Sequence, residues 1–490
     1  MSTRRYLLVS VLCFGTFLNI FSQGLSGQTW YVGTKGNGIR FNLSTDSATA
    51  LSGNVGLGTG GGAVATDPST GNLLFYTDGN NIYDANHKFM PNGTGLTGNP
   101  GSNQPVVICH VPGVPGQYYV FTNSATSTSA GAISYTIVDM TQFGNAAFPV
   151  PATGDVISKN NSIDPLLNNV GQAMILIPNA NNDGFWLITQ VPGTDQYHVL
   201  QIDQNGMTMI TTYSGVGLPI EAANFAYHPG TGRLAVSPED PTNNVMILNF
   251  DDATGALSVF ASVVNSGQDV TGNESVYDAE WSADGNFLYV SVHGETGVTA
   301  DVLQYDVINP TTTLESVLPA PIYRSYGLQM GPDSLIYHLY QETSGGPILL
   351  GRIGITDSVA SKTTYETDPF LVGDYNGKQF STTLPAYDAG LTLSFTSTGT
   401  CANTPIQFLP EIEPGADSVR WDFGDGTSSS MLSPVHSYAT GGAMDVSLMA
   451  WSGGIPDTLS QPVTITDFQL QINLVQDTVA CKCELPVHSA

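Results

Sequence analysis

The chain has 490 residues, with 41 acidic side chains against 13 basic ones and a formal net charge of −28. Such a surface repels phosphate backbones and anionic headgroups, which excludes nucleic acid as a partner and argues against anionic membranes. Only 11% of residues are charged while 41% are hydrophobic, with 54 Gly and 29 Pro, so a sizeable core must come from short strands joined by tight turns.

The first predicted element is a leader. Arg4 and Arg5 precede an apolar run of 16 residues, Tyr6–Phe21, and small or polar residues follow from Ser22 to Gln28. The run is short for a membrane span and reads as a secretory signal peptide over 1–28. No later segment reaches 18 uninterrupted apolar residues, so no transmembrane segment is expected and the mature protein is expected outside the cell. Four cysteines remain, Cys109, Cys401, Cys481 and Cys483, too few for a disulfide framework. Cys109 lies in the apolar run VVICHV and reads as a buried free thiol. Cys481 and Cys483 are too close to bridge each other without strain, which leaves open a bridge from Cys401 to one of them. The cluster offers too few ligands for zinc.

From residue 29 onward one unit recurs six times: a turn bearing Gly, Asp, Asn or Pro delivers into an aromatic and β-branched strand. The copies are DPSTGNLLFYT (67–77), PGVPGQYYVFT (112–122), NANNDGFWLIT (179–189), YHPGTGRLAVS (227–237), WSADGNFLYVS (281–291) and MGPDSLIYHLY (330–340). Their pivots, Gly71, Gly116, Gly184, Gly232, Gly285 and Ser334, lie 45, 68, 48, 53 and 49 residues apart. A period near 50 made of strands is the signature of a β-propeller, here over 29–390. Six blades are directly visible. A seventh is expected from WYVG (30–33) and GIRFNL (38–43) paired with strands of KQFSTTLPAYDAGLTLSF (378–395), which would close the ring; six or eight blades are the alternatives. Only SIDPLLNNVGQAM (162–174) is compatible with a short helix. The Asp- and Asn-rich turns DQNG (203–206), DDATG (251–255) and DYNG (374–377) read as hairpin turns, because the spacing of a calcium loop with its distal Glu is missing.

The innermost strand of each blade faces the central channel, so its polar positions are the candidate site. They are Gln104, Gln172, Glu221, Asp278, Glu280 and Gln329. If their strands are neighbours, the carboxylates would suit Ca²⁺ or a hydroxyl-rich sugar, and a close pair could supply acid and base for glycoside cleavage. The plainer expectation is a polar, water-filled channel. No other cofactor is expected: there is no P-loop, no dinucleotide fingerprint, no H-E-x-x-H and no G-x-S-x-G. His110, His228, His293 and His338 fall in different blades.

After Phe395 the texture changes. WDFGDGT (421–427) and SPVHSYATGGAMDVSLMAWS (433–452) resemble the PKD domain, an immunoglobulin-like β-sandwich, over 391–466. Trp421 and Phe423 are expected to point inward, with Asp422, Gly424, Asp425 and Gly426 forming the hairpin. The segments at 67–98, 102–125 and 133–140 resemble secreted propeller-plus-PKD proteins of Bacteroidetes-type bacteria, a group associated with type IX secretion and gliding motility. That resemblance implies a secreted or surface protein met by a secretion machinery. The chain departs from the group in showing no sorting domain, and 467–490 reads as the start of an incomplete Ig-like module. Two functions follow. One is a non-catalytic binding or adhesion scaffold for an extracellular glycan or protein. The alternative is a secreted carbohydrate-active hydrolase or lyase working at the channel mouth.

Overall fold

The computed structural model describes residues 27–467, apart from 43–46, 68–69, 147–151, 217–223, 240–243, 264–275, 295–299, 311–313, 386–390, 414–415, 417 and 453–454. The leader, Glu221, Cys481, Cys483 and the incomplete module therefore lie outside the described residues. Within them the protein is almost entirely β, with short 3₁₀ turns such as Pro165–Asn168, where the Asp164 carboxylate accepts from the Leu166 N–H. That turn occupies the one segment with helical character in the sequence.

Among the described residues up to 383 the strands form seven sheets, antiparallel except for one parallel pair. Sheet I is Thr29–Val32, Asn37–Asn42 and Ser47–Leu51. Sheet II begins at Gly62–Thr66, sheet III at Val106–His110, sheet IV at Met174–Pro178 and sheet V at Asn224–His228. Sheet VI begins at Val276–Trp281 and sheet VII at Arg324–Met330. Sheets II to VII run outward from that first strand through three more, in chain order.

Strands such as Val106–His110 and Phe185–Val191 are buried along their whole length on both faces, so the sheets must be covered twice. The clusters show by what. Trp186, Ile188 and Tyr197 of sheet IV pack on Phe225, Leu234 and Leu248 of sheet V. Ala235 and Ile247 of sheet V pack on Trp281, Leu288 and Val290 of sheet VI. Equivalent clusters join II to III, III to IV and VI to VII. The ring closes because Trp30, Ile39 and Phe41 of sheet I pack on Tyr337, Leu339 and Leu350 of sheet VII. The opposite face of sheet I, at Tyr31, packs on Val64, Tyr76 and Tyr83 of sheet II. Sheets stacked face to face around a ring are a β-propeller.

The closing strand differs from expectation. Ser381–Thr383 pairs in parallel with Gly62–Thr66 of sheet II, not with sheet I. It touches sheet I through the Ser381 hydroxyl, which accepts from the Tyr31 N–H at 3.1 Å. The strand thus lies on the inner edge of sheet II, beside sheet I. Residues 392–398, expected in part to join the closing blade, instead begin the second domain.

The turn units behave as their residues demand at five pivots. Gly71, Gly116, Gly232 and Gly285 have φ between 63° and 75°, and Ser334 takes the same left-handed conformation at 60°. In the third copy the left-handed residue is Asn182 at 56°, not Gly184. Asn tolerates that region because its side chain bonds locally.

The second domain is a sandwich of two sheets. One holds Thr392–Thr398, Ile406–Glu413 and Val435–His436; the other holds Ser428–Ser429, Ser418–Asp422, Gly442–Ser452 and Ile455–Ile465. Trp421, Phe423, Phe408, Tyr438 and Val446 fill the space between them. Cys109 is free and buried, whereas Cys401 is disulfide-bonded.

Candidate functional site

In sheets III to VII the first strand pairs with its second strand on one side only, so it leaves backbone groups unpaired at the centre of the ring. Side chains from neighbouring first strands supply the partners. This is what most of the predicted site residues do.

Asp278 and Glu280 sit two apart on the first strand of sheet VI, on one face. Leu328 and Met330 sit two apart on the first strand of sheet VII. The Leu328 N–H donates to Asp278 Oδ2 and the Met330 N–H to Glu280 Oε2, both at 3.0 Å. The other oxygens accept from the adjacent Ala279 and Trp281 N–H groups at 2.9 and 2.7 Å. Gln379 adds a third donor to Asp278 at 3.0 Å. Burial pushes Asp278 up to about 7, the nearby Glu239 charge assisting and the three donors opposing. Burial likewise pushes Glu280 up to about 7 against its two backbone donors.

Gln104 clips three strands. Its Oε1 accepts from the Met174 and Phe225 N–H groups at 3.2 Å each, and its Nε2 donates to Phe225 O at 3.0 Å. Gln329 donates to Ser381 O at 3.3 Å, joining sheet VII to the closing strand. Gln172 accepts from the Asn103 N–H at 3.3 Å and faces Glu239. Asn224 donates to Tyr277 O at 2.6 Å, joining sheets V and VI. Thr382 reaches Gly62 O and Val106 O at 3.2 and 3.3 Å.

The structure therefore brings Asp278 and Glu280 together on one strand and spreads Gln104, Gln172 and Gln329 around the ring as interstrand clips. Among the described residues, both Asp278 and Glu280 are engaged by backbone N–H groups. Side chains from sheets III, V and VI meet inside the ring. Tyr277 of sheet VI donates through its hydroxyl to Asn103 Oδ1 at 3.0 Å, and Asn103, which leads into sheet III, donates to Glu239 Oε2 at 2.9 Å. Glu239 follows the second strand of sheet V. Burial raises its carboxyl above the ordinary range, with Asn103, Lys378 and Gln172 pulling back. His293 stacks on Tyr277 with centroids 5.5 Å apart, and Tyr326 sits edge-on to both at 5.6 and 5.0 Å. The Lys378 ammonium lies 5.8 Å from the Tyr326 ring centre.

Asn103, Glu239, Tyr277 and Gln379 escaped the sequence reading. Asn103 adjoins a recognised glutamine and could have been found by it. Glu239 lies beyond a second strand, Tyr277 reads as core, and Gln379 belongs to a closing segment whose partner is fixed only by the ring.

Elsewhere the described residues hold no group of three or more His, Cys, Asp or Glu arranged for a metal ion. In the sandwich, Asp425 Oδ2 meets His436 Nε2 at 2.7 Å, and its other oxygen accepts from the Thr427 N–H and hydroxyl. His436 lies flat on Phe423 at 4.2 Å. The acidic hairpin is thus built for the turn, as its sequence implies. No described helix is long and apolar enough to cross a membrane.

Residues 395–466 match the PKD domain family. No curated protein is significantly similar in sequence to the chain. Among solved structures, a putative 6-phosphogluconolactonase from Bacteroides fragilis is 15% identical, covering 72% of this chain and 96% of its own, with a TM-score of 0.44. A protein from Lactobacillus plantarum is 13% identical, covering 72% and 97%, with a TM-score of 0.41. The β-propeller domain of Myceliophteria thermophila Cps50 (Swd1) is 12% identical, covering 65% and 95%, with a TM-score of 0.39. Likenesses this distant say nothing about a ligand.

Proposed function

We propose that the protein is a secreted or cell-surface scaffold that binds an extracellular glycan or protein without transforming it. One observation carries the reading. Asp278 and Glu280, the described carboxylates expected to do chemistry, hold both oxygens against backbone N–H groups of their own and the next strand. A general acid and base must face the scissile bond from a reachable position. These two face a strand edge. The PKD module supports the extracellular placement, since such modules serve as spacers and contacts outside cells, and a propeller rim offers many loops for recognition.

The test is glycan-array binding of the full chain with and without Ca²⁺, run beside a hydrolysis and lyase screen on the same sugars. Binding without turnover is the expected result. Turnover of any substrate overturns the reading and restores the hydrolase alternative. Binding lost on chelation would add Ca²⁺ to the site.

A further inference from the structure

We infer that Glu239 is the ligand-recognising carboxylate of the ring, and that its ligand is a polyhydroxylated sugar residue. The inference rests on the binding reading above and names its site. It does not use the carboxylates that the sequence singled out.

The difference between the acids is in their partners. Asp278 and Glu280 are anchored by backbone N–H groups, which cannot move without breaking the ring's inner edge. Glu239 accepts from the Asn103 side-chain amide at 2.9 Å, with the Lys378 charge and the Gln172 amide nearby, and the buried Gln172 Nε2 has no hydrogen-bond partner among the described residues. Amide side chains can rotate to share a carboxylate with an incoming hydroxyl. They also carry both donors and acceptors, which is what a sugar hydroxyl, itself donor and acceptor, needs. Asn103 is already oriented by the Tyr277 hydroxyl and is 7% exposed, so the carboxylate has a fixed backing.

Beside this carboxylate stands an aromatic group. Tyr277, His293 and Tyr326 are mutually packed at 5.0 to 5.6 Å. Lys378, an exposed residue, reaches over Tyr326, and Arg324 on the same strand stacks over Tyr323 at 4.9 Å. In a chain with 13 basic residues, two fall beside this group. A carboxylate and amides beside a packed aromatic group, of which His293 alone is partly exposed, are a small set of polar groups against apolar side chains, the composition of a small-ligand site. Hydroxyls would bond to Glu239 and Asn103 while the C–H face of a pyranose ring lies against His293, the partly exposed member of the aromatic group. The shared chemistry of neutral sugars and uronates is the hydroxyl array, and Lys378 separates the two.

The experiment is titration calorimetry of the full chain and its Glu239→Gln and Lys378→Met variants. The probes are neutral gluco-, galacto- and xylo-oligosaccharides and an oligogalacturonate. Glu366→Gln, on the outer strand of sheet VII, serves as a remote control, and melting curves check each fold. Wild-type binding that falls about tenfold or more in Glu239→Gln, with an unchanged melting curve, supports the inference, since a hydrogen bond to a charged group is worth that much. A loss in Lys378→Met confined to the uronate also supports it. Wild-type binding that survives Glu239→Gln overturns the inference while leaving the scaffold reading intact, because the sugar then sits elsewhere on the ring. Absence of binding to every probe overturns the inference as written. If the glycan array also shows no ligand, the glycan form of the reading falls with it.

Discussion

The ring and the sandwich treat their acids in opposite ways. In the ring, Asp278 and Glu280 are withdrawn from water and held up to about 7, bonded to the free edge of an inner strand. In the sandwich, Asp425 stays near the surface. Some desolvation raises it, but bonds from Thr427 and His436 prevail and hold it below the ordinary carboxylate range. Both arrangements satisfy backbone N–H groups. What differs is solvent. A ring of sheets has an interior edge that water cannot easily serve, so charged side chains are drawn inside at an electrostatic cost. A sandwich keeps its hairpin acids at the end of the strands, where water shares the load. The lesson is that an acid pair on an inner propeller strand is weak evidence for catalysis until its backbone partners are known.

The largest predicted effects ask whether the two regions stand apart. Trp281 and Trp421 are both fully buried, and each donates Nε1 to a backbone carbonyl, Ala226 O and Leu432 O. Replacing either by Ala is expected to cost about 3–5 kcal/mol. Calorimetry should show Trp421→Ala lowering one transition and Trp281→Ala another. If both variants lower the same transition, the ring and sandwich unfold as one unit and the contrast loses its basis.

A smaller effect tests the inner-edge clip. In Asp278→Asn one oxygen becomes an NH₂ facing the donors of Leu328, Ala279 or Gln379, at a cost of about 1–3 kcal/mol. The pH dependence has a definite sign. Because the folded value lies above the ordinary 3.8, stability is complete below that value and declines as pH rises through about 7. Urea midpoints should therefore show a shallower decline between pH 4 and 8 in Asp278→Asn than in wild type. Parallel slopes in the two proteins would show that Asp278 is ionised throughout and served by water.

Turn strain comes next. Ser334 holds a left-handed conformation that costs an L-residue roughly 1–2 kcal/mol, so Ser334→Gly should raise the melting temperature. The comparison is Gly285→Ala. There a Cβ would lie 2.7 Å from Thr231 and 2.8 Å from His228, and the variant should melt lower. Equal melting temperatures for both variants would remove the turns from the account.

The smallest effect belongs to the sandwich. Asp425 has a lowered folded value, so its contribution is present above the ordinary carboxylate value and is lost as pH falls through the folded one. Asp425→Asn should move the acid unfolding midpoint of the sandwich upward while leaving the ring's unchanged. An unmoved midpoint would mean that the contact with His436 contributes nothing to stability.

Much of the architecture was legible in the chain. Turn chemistry recurs near every 50 residues because each blade needs the same reversal after its first strand, and local residues encode that reversal. Trp421, Phe423 and the acidic hairpin turn that follows them announced the sandwich for the same reason. Position along an inner strand also picked out Gln104, Gln172, Asp278, Glu280 and Gln329 as special. Their role was not legible, since a polar side chain at a strand position reads alike whether it meets a ligand or a neighbouring N–H. Glu221 falls outside the described residues.

Periodicity and turn residues are local properties, so the repeated β architecture and the second domain could be read from the residues alone. The clip that Asp278 and Glu280 make from sheet VI to sheet VII, and the pairing of Ser381–Thr383 with sheet II, depend on the closed ring. It alone brought Asn103 and Glu239 to Tyr277. These contacts join residues from 50 to more than 300 positions apart. They exist only once the ring has closed and its inner edge must find partners.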